Sequence, residues 1–174
     1  SLDEYNDLET LNAYNVRIAA GHPEEEGMES LYAKSRDNAR TPMHWDDAAQ
    51  TGFTTGTPWL PVNPNYPTIN AASQIHDEDS VFSYYKNLIR LRKETPVIVD
   101  GVFEMLLPDD KEIFAYRRTN DSQTLTVICN FYGNERSIDA ASLIPEGSKL
   151  LISNYADVTD ANVLRPYEAR MYLK

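Results

Sequence analysis

The chain has 174 residues, with 16 basic and 27 acidic side chains and a net charge of −11. This acidity argues against a nucleic-acid partner and against docking on anionic lipid, because both require a basic surface. Hydrophobic residues make up 41% of the chain, and no apolar run approaches the roughly 20 residues that span a bilayer, so we expect a globular protein with no membrane partner.

Two helices are predicted in the first 34 residues. Asp3 is the expected cap of the first helix, whose apolar stripe would contain Tyr5, Leu8, Leu11 and Ile18. A Gly-His-Pro break and three consecutive glutamates follow. They predict a second helix, because carboxylates favour the positive end of the helix dipole.

Residues 35–74 contain five prolines and two glycines, so long regular elements are not expected there. A stretch of this length without regular structure is usually either functional or disordered. Its aromatic residues favour order, because disordered linkers contain few of them. We therefore predict a long, packed, functional loop in which Trp45 and Trp59 form part of a small aromatic core.

A helix is predicted to open at Asp79-Ser80 and to end at Pro96, because apolar residues recur between them at helical spacing. After it, short β-branched or aromatic runs alternate with turn residues, a pattern typical of an antiparallel sandwich. The predicted strands are Phe103–Leu106, Ile113–Arg117, Leu125–Phe131, Leu150–Ser153 and Tyr167–Leu173. The predicted fold class is mixed α and β, with helices and a long loop in residues 1–98 and an all-β domain in residues 99–174.

The run YAKSRDNARTPMHWD at residues 32–46 closely resembles a signature of bacterial oligo-1,6-glucosidases and related α-glucosidases. These enzymes belong to family 13 of the glycoside hydrolases, the α-amylase family. The resemblance continues through GFTTGTPW at residues 52–59, VNPNY at residues 62–66 and LRPYEA at residues 164–169. The run DLETLN at residues 7–12 is similar to the segment that follows the eighth barrel strand of the family.

The resemblance implies the C-terminal third of a retaining α-glucosidase. Residues 1–98 would then be the end of a (β/α)8 barrel, with the loop after strand 8 and the last helix, and residues 99–174 a small antiparallel β-sandwich. The missing N-terminal barrel would be the partner of this piece, and typical domain sizes predict about 350 to 400 further residues. The implied substrate is a short oligosaccharide cleaved at its non-reducing end.

The resemblance also implies that the nucleophilic Asp and the acid/base Glu lie outside this chain. We therefore expect no catalytic residue here and no hydrolysis of glycosides by the isolated chain. Two alternatives stay open. The chain could belong to a trehalose-6-phosphate hydrolase, which shares this C-terminal pattern, or it could be a stand-alone carbohydrate-binding β-sandwich module.

Three residues are candidates for substrate binding. In enzymes that this chain resembles, an Arg of the motif binds the terminal glucose together with an Asp from another loop, and we place that role on Arg36. A guanidinium suits it because its rigid fork of donors can pair with a carboxylate and bind a hydroxyl. Arg40 is the second choice, with a structural ion pair as its other role. Asp37 is a weaker candidate that would orient Arg36.

The remaining polar groups have simpler interpretations. Asp46-Asp47 would be solvated or cap a turn, and His76-Asp77 precedes a helix, where the Asp suits a cap. His44 occupies a position where the family usually has Gln. His22 and His76 have no metal-ligand spacing with Cys129, so we expect neither metal nor cofactor. Cys129 lies on the apolar face of a predicted strand and is expected in the core, and a lone thiol favours a cytoplasmic protein.

Overall fold

A computed structural model describes all residues from 1 to 174. The chain divides into two compact units, Ser1–Ser83 and Tyr84–Lys174. No helix is both long enough and apolar enough to cross a membrane.

The structure contains six α-helices, seven β-strands and three short 3-10 turns. The helices are α1 Leu8–Ala19, α2 Glu24–Lys34, α3 Ala71–Gln74, α4 Val81–Glu94, α5 Val97–Asp100 and α6 Ala140–Leu143. The strands are β1 Val102–Met105, β2 Ile113–Thr119, β3 Thr124–Asn130, β4 Arg136–Ser137, β5 Lys149–Ser153, β6 Val163–Leu164 and β7 Ala169–Leu173. The 3-10 turns are Leu2–Glu4, Arg36–Ala39 and Ala49–Gly52.

The first helix starts later than predicted. Asp7, not Asp3, caps α1, and its carboxylate accepts a hydrogen bond from the backbone N–H of Thr10. The predicted apolar stripe was also wrong, since Leu8 is exposed and the buried residues of α1 are Thr10 and Tyr14. The reason is that Asp3 lies inside a short 3-10 turn, Leu2–Glu4, which Ser1 precedes, whereas the carboxylate of Asp7 is placed to accept from a free N–H at the start of α1.

The second helix, α2, forms where the sequence predicts it and packs closely against α1. Pro23 precedes it, and three glutamates occupy its first turn. Gly27 of α2 faces Tyr14 of α1 so closely that a Cβ atom at Gly27 would lie 2.9 Å from Cε2 of the tyrosine ring. The two helices can therefore approach only because position 27 has no side chain.

The segment from residue 35 to residue 74 is a long ordered loop, as predicted, with only short helical turns. The predicted aromatic core is wrong, because Trp45 and Trp59 are 54% and 64% exposed. The buried anchors are smaller residues. Thr51 is fully buried, and its carbonyl accepts from the N–H groups of both Trp45 and Asp46, at 2.9 and 3.2 Å.

Helix α4 opens and closes close to the predicted positions. The hydroxyl of Ser80 accepts from the backbone N–H of Ser83 at 3.1 Å and caps the helix. Asp77 forms a turn just upstream, where its carboxylate accepts from the N–H of Asp79 at 2.9 Å. On the predicted apolar face of α4, Val81 and Tyr85 are exposed and Leu91 is buried.

The C-terminal unit is built on an antiparallel sheet with the strand order β1-β2-β3-β7-β5, and β4 and β6 form a separate pair. The central strand β3 has a core on each face. Ile128 belongs to a cluster with Leu164 of β6, and Val127 to a cluster with Val97 of α5. This arrangement confirms the mixed α and β class and the antiparallel sheet. The β-strand predictions hold with shifts of a few residues at their ends.

In this unit a partly buried thiol and a fully buried ion pair lie in or against the core. Cys129 packs against the cluster around Val127, where burial raises the pKa of its thiol. Glu168 and Arg170 are 0% and 1% exposed, and their Oε1 and Nε atoms lie 2.8 Å apart. Arg170 and Arg165 lower the pKa of Glu168 to about 2, against the opposing effect of burial.

Candidate functional site

The three predicted site residues, Arg36, Asp37 and Arg40, lie together in the N-terminal unit, where the long loop begins. Arg36–Ala39 is a 3-10 turn that starts at Ser35, whose hydroxyl accepts from the backbone N–H of Asp37 at 3.3 Å. Ser35 is buried against α1, and its hydroxyl lies 3.0 Å from that of Thr10. The start of α1 and the start of the loop therefore form one polar cluster.

Arg36 binds two carboxylates at the start of α1, those of its cap residue Asp7 and of Glu9 in its first turn. Its Nη2 atom lies 2.7 Å from Oδ1 of Asp7 and 2.8 Å from Oε2 of Glu9. Its Nε atom lies 3.4 Å from Oδ2 of Asp7. The Nη1 atom makes none of these bonds, and the side chain is 54% exposed, so donors of the guanidinium stay free for a ligand.

Asp7 is the buried anchor of this arrangement. The hydroxyl of Thr10 donates to Oδ2 of Asp7 at 2.8 Å, and the N–H of Thr10 donates to the same oxygen at 3.2 Å. The hydrogen bond from Thr10 is the largest influence on the pKa of the Asp7 carboxyl and lowers it. The hydrogen bond from Arg36 lowers this pKa further. In turn, the hydrogen bond to Asp7 raises the pKa of Arg36. The pair is therefore charged and fixed in orientation at neutral pH.

Asp37 acts on the backbone rather than directly on Arg36. Its Oδ2 atom accepts from the N–H groups of Asn6 and Asp7, at 2.7 and 2.8 Å. The residue is only 4% exposed, and its Oδ1 atom has no hydrogen-bond partner. Asp37 therefore acts on Arg36 indirectly, because it holds the backbone of Asp7, which binds Arg36.

Arg40 has looser contacts than Arg36. Its Nη1 atom lies 3.8 Å from Oδ1 of Asp7 and 3.7 Å from Oδ1 of Asp37. These distances exceed those of a hydrogen bond. Arg40 therefore compensates two buried carboxylates electrostatically, in line with the structural ion pair considered for it.

The pocket beside Arg36 has a volume of about 270 Å³ and is lined by Asp7, Glu9, Thr10 and Lys34 among others. Fixed donors and carboxylate acceptors on its wall suit a neutral polyhydroxyl ligand, since each sugar hydroxyl can both donate and accept. No group of three or more His, Cys, Asp or Glu side chains in the chain is placed to hold a metal ion.

Sequence reasoning missed Asp7 and Glu9. The signal for Asp7 was available, because Asp followed by Thr three residues later is a helix-cap spacing. The pattern around Asp3 nevertheless predicted the helix cap at that residue. Glu9 offered no such signal, since an exposed glutamate in the first turn of a helix needs no partner beyond the helix dipole.

The imidazole of His44 is hydrogen-bonded within the loop, since its Nδ1 atom lies 2.9 Å from the carbonyl oxygen of Ile69. The Asp46 carboxylate accepts from the N–H of Ala48 at 2.9 Å, which agrees with a turn-capping role.

The chain is similar to several characterised sugar-active enzymes along almost its whole length. It is 49% identical to an oligo-1,6-glucosidase of Halalkalibacterium halodurans, over 99% of this chain and 32% of that protein. The crystal structure of the trehalose-6-phosphate hydrolase of Bacillus licheniformis matches with a TM-score of 0.92 and 43% identity, over 99% of this chain and 32% of that one. The trehalulose synthase of Pseudomonas mesoacidophila matches with a TM-score of 0.89 and 38% identity, over 100% and 32%.

The chain thus spans about a third of the length of these relatives. The sequence model of the α-amylase catalytic domain matches residues 9–101, more than half of the chain. That stretch includes Arg36 with the motif around it, and the whole of α2 and α4. The chain belongs to the α-amylase family.

Proposed function

We propose that the complete protein is a retaining α-glucosidase that releases glucose from the non-reducing end of short oligosaccharides, in the manner of oligo-1,6-glucosidases. The observation that carries the proposal is the guanidinium of Arg36. It is fixed by the buried carboxylate of Asp7, yet it keeps free donors on a pocket of about 270 Å³. This arrangement suits a terminal glucose, because a prepositioned charged donor binds a hydroxyl at little entropic cost.

In this proposal the chain contributes residues that bind the substrate, and it does not contribute the carboxyl groups that cleave the glycosidic bond. Retaining glycosidases need a nucleophile and an acid/base carboxyl about 5–5.5 Å apart, and the acid must have a raised pKa. Thr10 and Arg36 lower the pKa of Asp7 instead, and its oxygens are already bound. We infer that the catalytic carboxylates come from the missing barrel, and that Asp37 and Arg40 brace the Arg36 loop.

In this proposal residues 1–98 are the end of a (β/α)8 barrel and residues 99–174 a C-terminal β-sandwich. The identity of 49% with an oligo-1,6-glucosidase over 99% of the chain supports it. So do the exposed apolar side chains Val81 and Tyr85 on α4, which would be covered by the rest of a barrel. The lone thiol of Cys129 favours a cytoplasmic location.

A second candidate is a trehalose-6-phosphate hydrolase. The crystal structure of such an enzyme matches this chain with a TM-score of 0.92. The stand-alone binding module has less support, because residues 9–101 match a catalytic domain. The trehalulose synthase relative has been crystallised with sucrose and with glucose, so neutral sugars are ligands within this group of proteins.

The test uses the complete protein and the isolated chain side by side, each with nitrophenyl α-glucoside and with isomaltose. We expect the complete protein to release glucose from both and the isolated chain to release none. Glucose release by the isolated chain would show that its own carboxylates suffice for catalysis. Glucan binding without hydrolysis by the complete protein would favour the binding module.

A further inference from the structure

Four aromatic side chains form a continuous row on one face of the C-terminal sheet. They are Phe103 of β1, Phe114 and Tyr116 of β2, and Phe131 directly after β3. The ring centroids are 5.4 Å apart for Phe103 and Tyr116, 5.6 Å for Tyr116 and Phe114, and 6.3 Å for Phe114 and Phe131. The three phenylalanines are 50%, 38% and 65% exposed in chain order. These four residues are called the aromatic row below.

The aromatic row continues an interface that the structure already contains. Val127 and Cys129 of β3 lie on the same face as the row, because side chains two residues apart on a strand share a face and Cys129 is the register partner of Phe114. Val127 packs against Val97 of α5, and Tyr116 is partly buried against the same cluster. A helix therefore covers one part of this sheet face, and the part that carries the aromatic row is bare.

The helix that covers the rest of the face is too short to cover the row as well. Helix α5 has four residues, so it is about 6 Å long. The row crosses three strands, whose axes lie about 4.8 Å apart. A contiguous apolar surface of this kind on a folded unit marks an interaction site, so another element must cover it.

The residues around the row fit a protein partner better than a sugar. Phenylalanine has no polar group, whereas a sugar site needs placed polar groups that bind the ring hydroxyls. The neighbours on the same face are Met105 and Arg118, the register partners of Tyr116 and Phe103. The guanidinium of Arg118 donates to the carbonyl of Val99 at 3.1 Å. Aromatic residues, Met and Arg are enriched in the core of protein interfaces, where Asp, Glu and Lys are depleted.

The size of the row favours a segment of the same protein over a second copy. The exposed parts of its phenylalanines amount to on the order of 300 Å², whereas a stable complex of separate molecules buries about 800 Å² on each partner. A contact within one protein needs less area, because the covalent connection removes most of the loss of translational freedom. The chain covers 32% of the relatives described above, so most of the complete protein would lie outside it.

We propose that the aromatic row is the docking surface for the N-terminal part of the complete protein, the barrel segment that this chain does not contain. The segment that docks there presents apolar side chains, because the row offers no charge to pair with. The inference rests on the proposed function only in requiring a longer protein, and it does not depend on which sugar is cleaved. The row is then exposed in the chain by itself and buried in the complete protein.

The test measures the reactivity of cysteines introduced at the two ends of the row in the complete protein. The variants are Phe103→Cys and Phe131→Cys, labelled with iodoacetamide and followed by peptide mass spectrometry, and each rate is divided by that of the same variant unfolded in urea. Glu104→Cys is the matched control, because Glu104 is 62% exposed and follows Phe103 on the opposite face of β1. We expect both row cysteines to react at least about tenfold more slowly than the control, because access of the reagent limits the modification of a thiol.

The chain by itself supplies the second arm of the test. Its row is open to solvent, so all three introduced cysteines should be labelled at rates within about threefold of one another. Labelling of the native Cys129 is resolved as a separate peptide in every sample.

Three results would overturn the inference. Row cysteines that react as fast as the control in the complete protein would show that nothing covers the row. Protection in the chain by itself that disappears on dilution would identify a second copy as the occupant. Protection that appears only on addition of maltooligosaccharide would identify a sugar-binding surface. A complete protein that protects the row but hydrolyses no glycoside contradicts the proposed function alone, because the labelling needs no activity.

Discussion

At the scale of single residues, Arg36 is both fixed by a buried carboxylate and open to solvent. Its Nη2 atom lies 2.7 Å from Oδ1 of the buried Asp7, yet 54% of the side chain is exposed. The ion pair therefore sets the direction of the guanidinium without consuming all of its donors. A lysine could not do both, because its ammonium is a point charge on a flexible stem.

Removal of Arg36 should weaken substrate binding without unfolding the protein. For Arg36→Ala in the complete protein we expect KM for isomaltose to rise by roughly tenfold to a hundredfold, the range for the loss of a charged hydrogen bond. The circular dichroism spectrum should stay unchanged, because Asp7 keeps its bonds to Thr10. Arg90→Ala is the control, since Arg90 is an exposed arginine paired with Glu94 outside the pocket. Unchanged kinetics for Arg36→Ala would remove this residue from the site.

The buried pair of Glu168 and Arg170 predicts a strong effect on stability. Glu168→Gln leaves the charge of Arg170 buried without its counter-ion, so the free energy of unfolding should fall by about 3–5 kcal/mol. Urea denaturation followed by circular dichroism measures this. Glu104→Gln is the matched control, because Glu104 is an exposed partner of Arg117 and its loss should cost less than about 1 kcal/mol. Similar effects for the two variants would contradict the assigned role of the buried pair.

The same glutamate predicts an acid limit to stability. Its pKa is lowered from 4.5 to about 2 in the folded protein. A lowered carboxyl pKa contributes stability that is fully present above the unfolded value and is lost as the pH falls through the folded value. Between pH 4.5 and pH 2 the midpoint of urea denaturation should therefore decrease more steeply in the wild type than in Glu168→Gln. Parallel pH profiles would show that Glu168 does not carry this linkage.

At the scale of elements, the contact of α1 with α2 depends on one missing side chain. In Gly27→Ala a Cβ would lie 2.9 Å from Cε2 and 3.0 Å from Cδ2 of Tyr14. Although alanine favours a helix more than glycine does, this overlap should destabilise the protein by about 1–3 kcal/mol. Gly56→Ala is the control, because the nearest atom to its Cβ would be 3.8 Å away. Thermal unfolding of the two variants measures the difference, and a Gly27→Ala protein more stable than wild type would contradict the close approach.

The elements also show where local sequence patterns are reliable. The three glutamates after Pro23 and the apolar repeat before Pro96 indicated α2 and α4 correctly, because helix ends depend on neighbouring residues. The start of α1 was wrong because both Asp3 and Asp7 can cap a helix. Only tertiary contacts chose between them: the N–H of Asp7 donates to the carboxylate of Asp37, 30 residues further on.

At the scale of the whole molecule, charge bears on the choice of substrate. Residues 1–79, which contain the candidate site, hold 4 basic and 14 acidic side chains. Two of those basic residues, Arg36 and Arg40, already face carboxylates. A negative field of this kind slows the approach of a dianion and has no effect on a neutral sugar.

This charge predicts a preference for substrates without phosphate. We expect kcat/KM for nitrophenyl α-glucoside to exceed that for its 6-phosphate by at least about tenfold at low ionic strength. The ratio should shrink as salt is added, because screening weakens the repulsion. A preference for the phosphorylated substrate would instead identify the complete protein as a trehalose-6-phosphate hydrolase.

The sequence by itself determined the family resemblance, the antiparallel strands after residue 99 and the candidate role of Arg36. Each rests on a local pattern. The resemblance rests on an ordered motif, the strands on residue types that alternate along the chain, and the role of Arg36 on the donor geometry of a guanidinium. The tertiary structure decided which carboxylate holds Arg36, that Asp37 acts through the backbone, and that Trp45 and Trp59 are exposed. These outcomes depend on contacts between residues far apart in the chain, and the composition and spacing of a single segment do not encode such contacts.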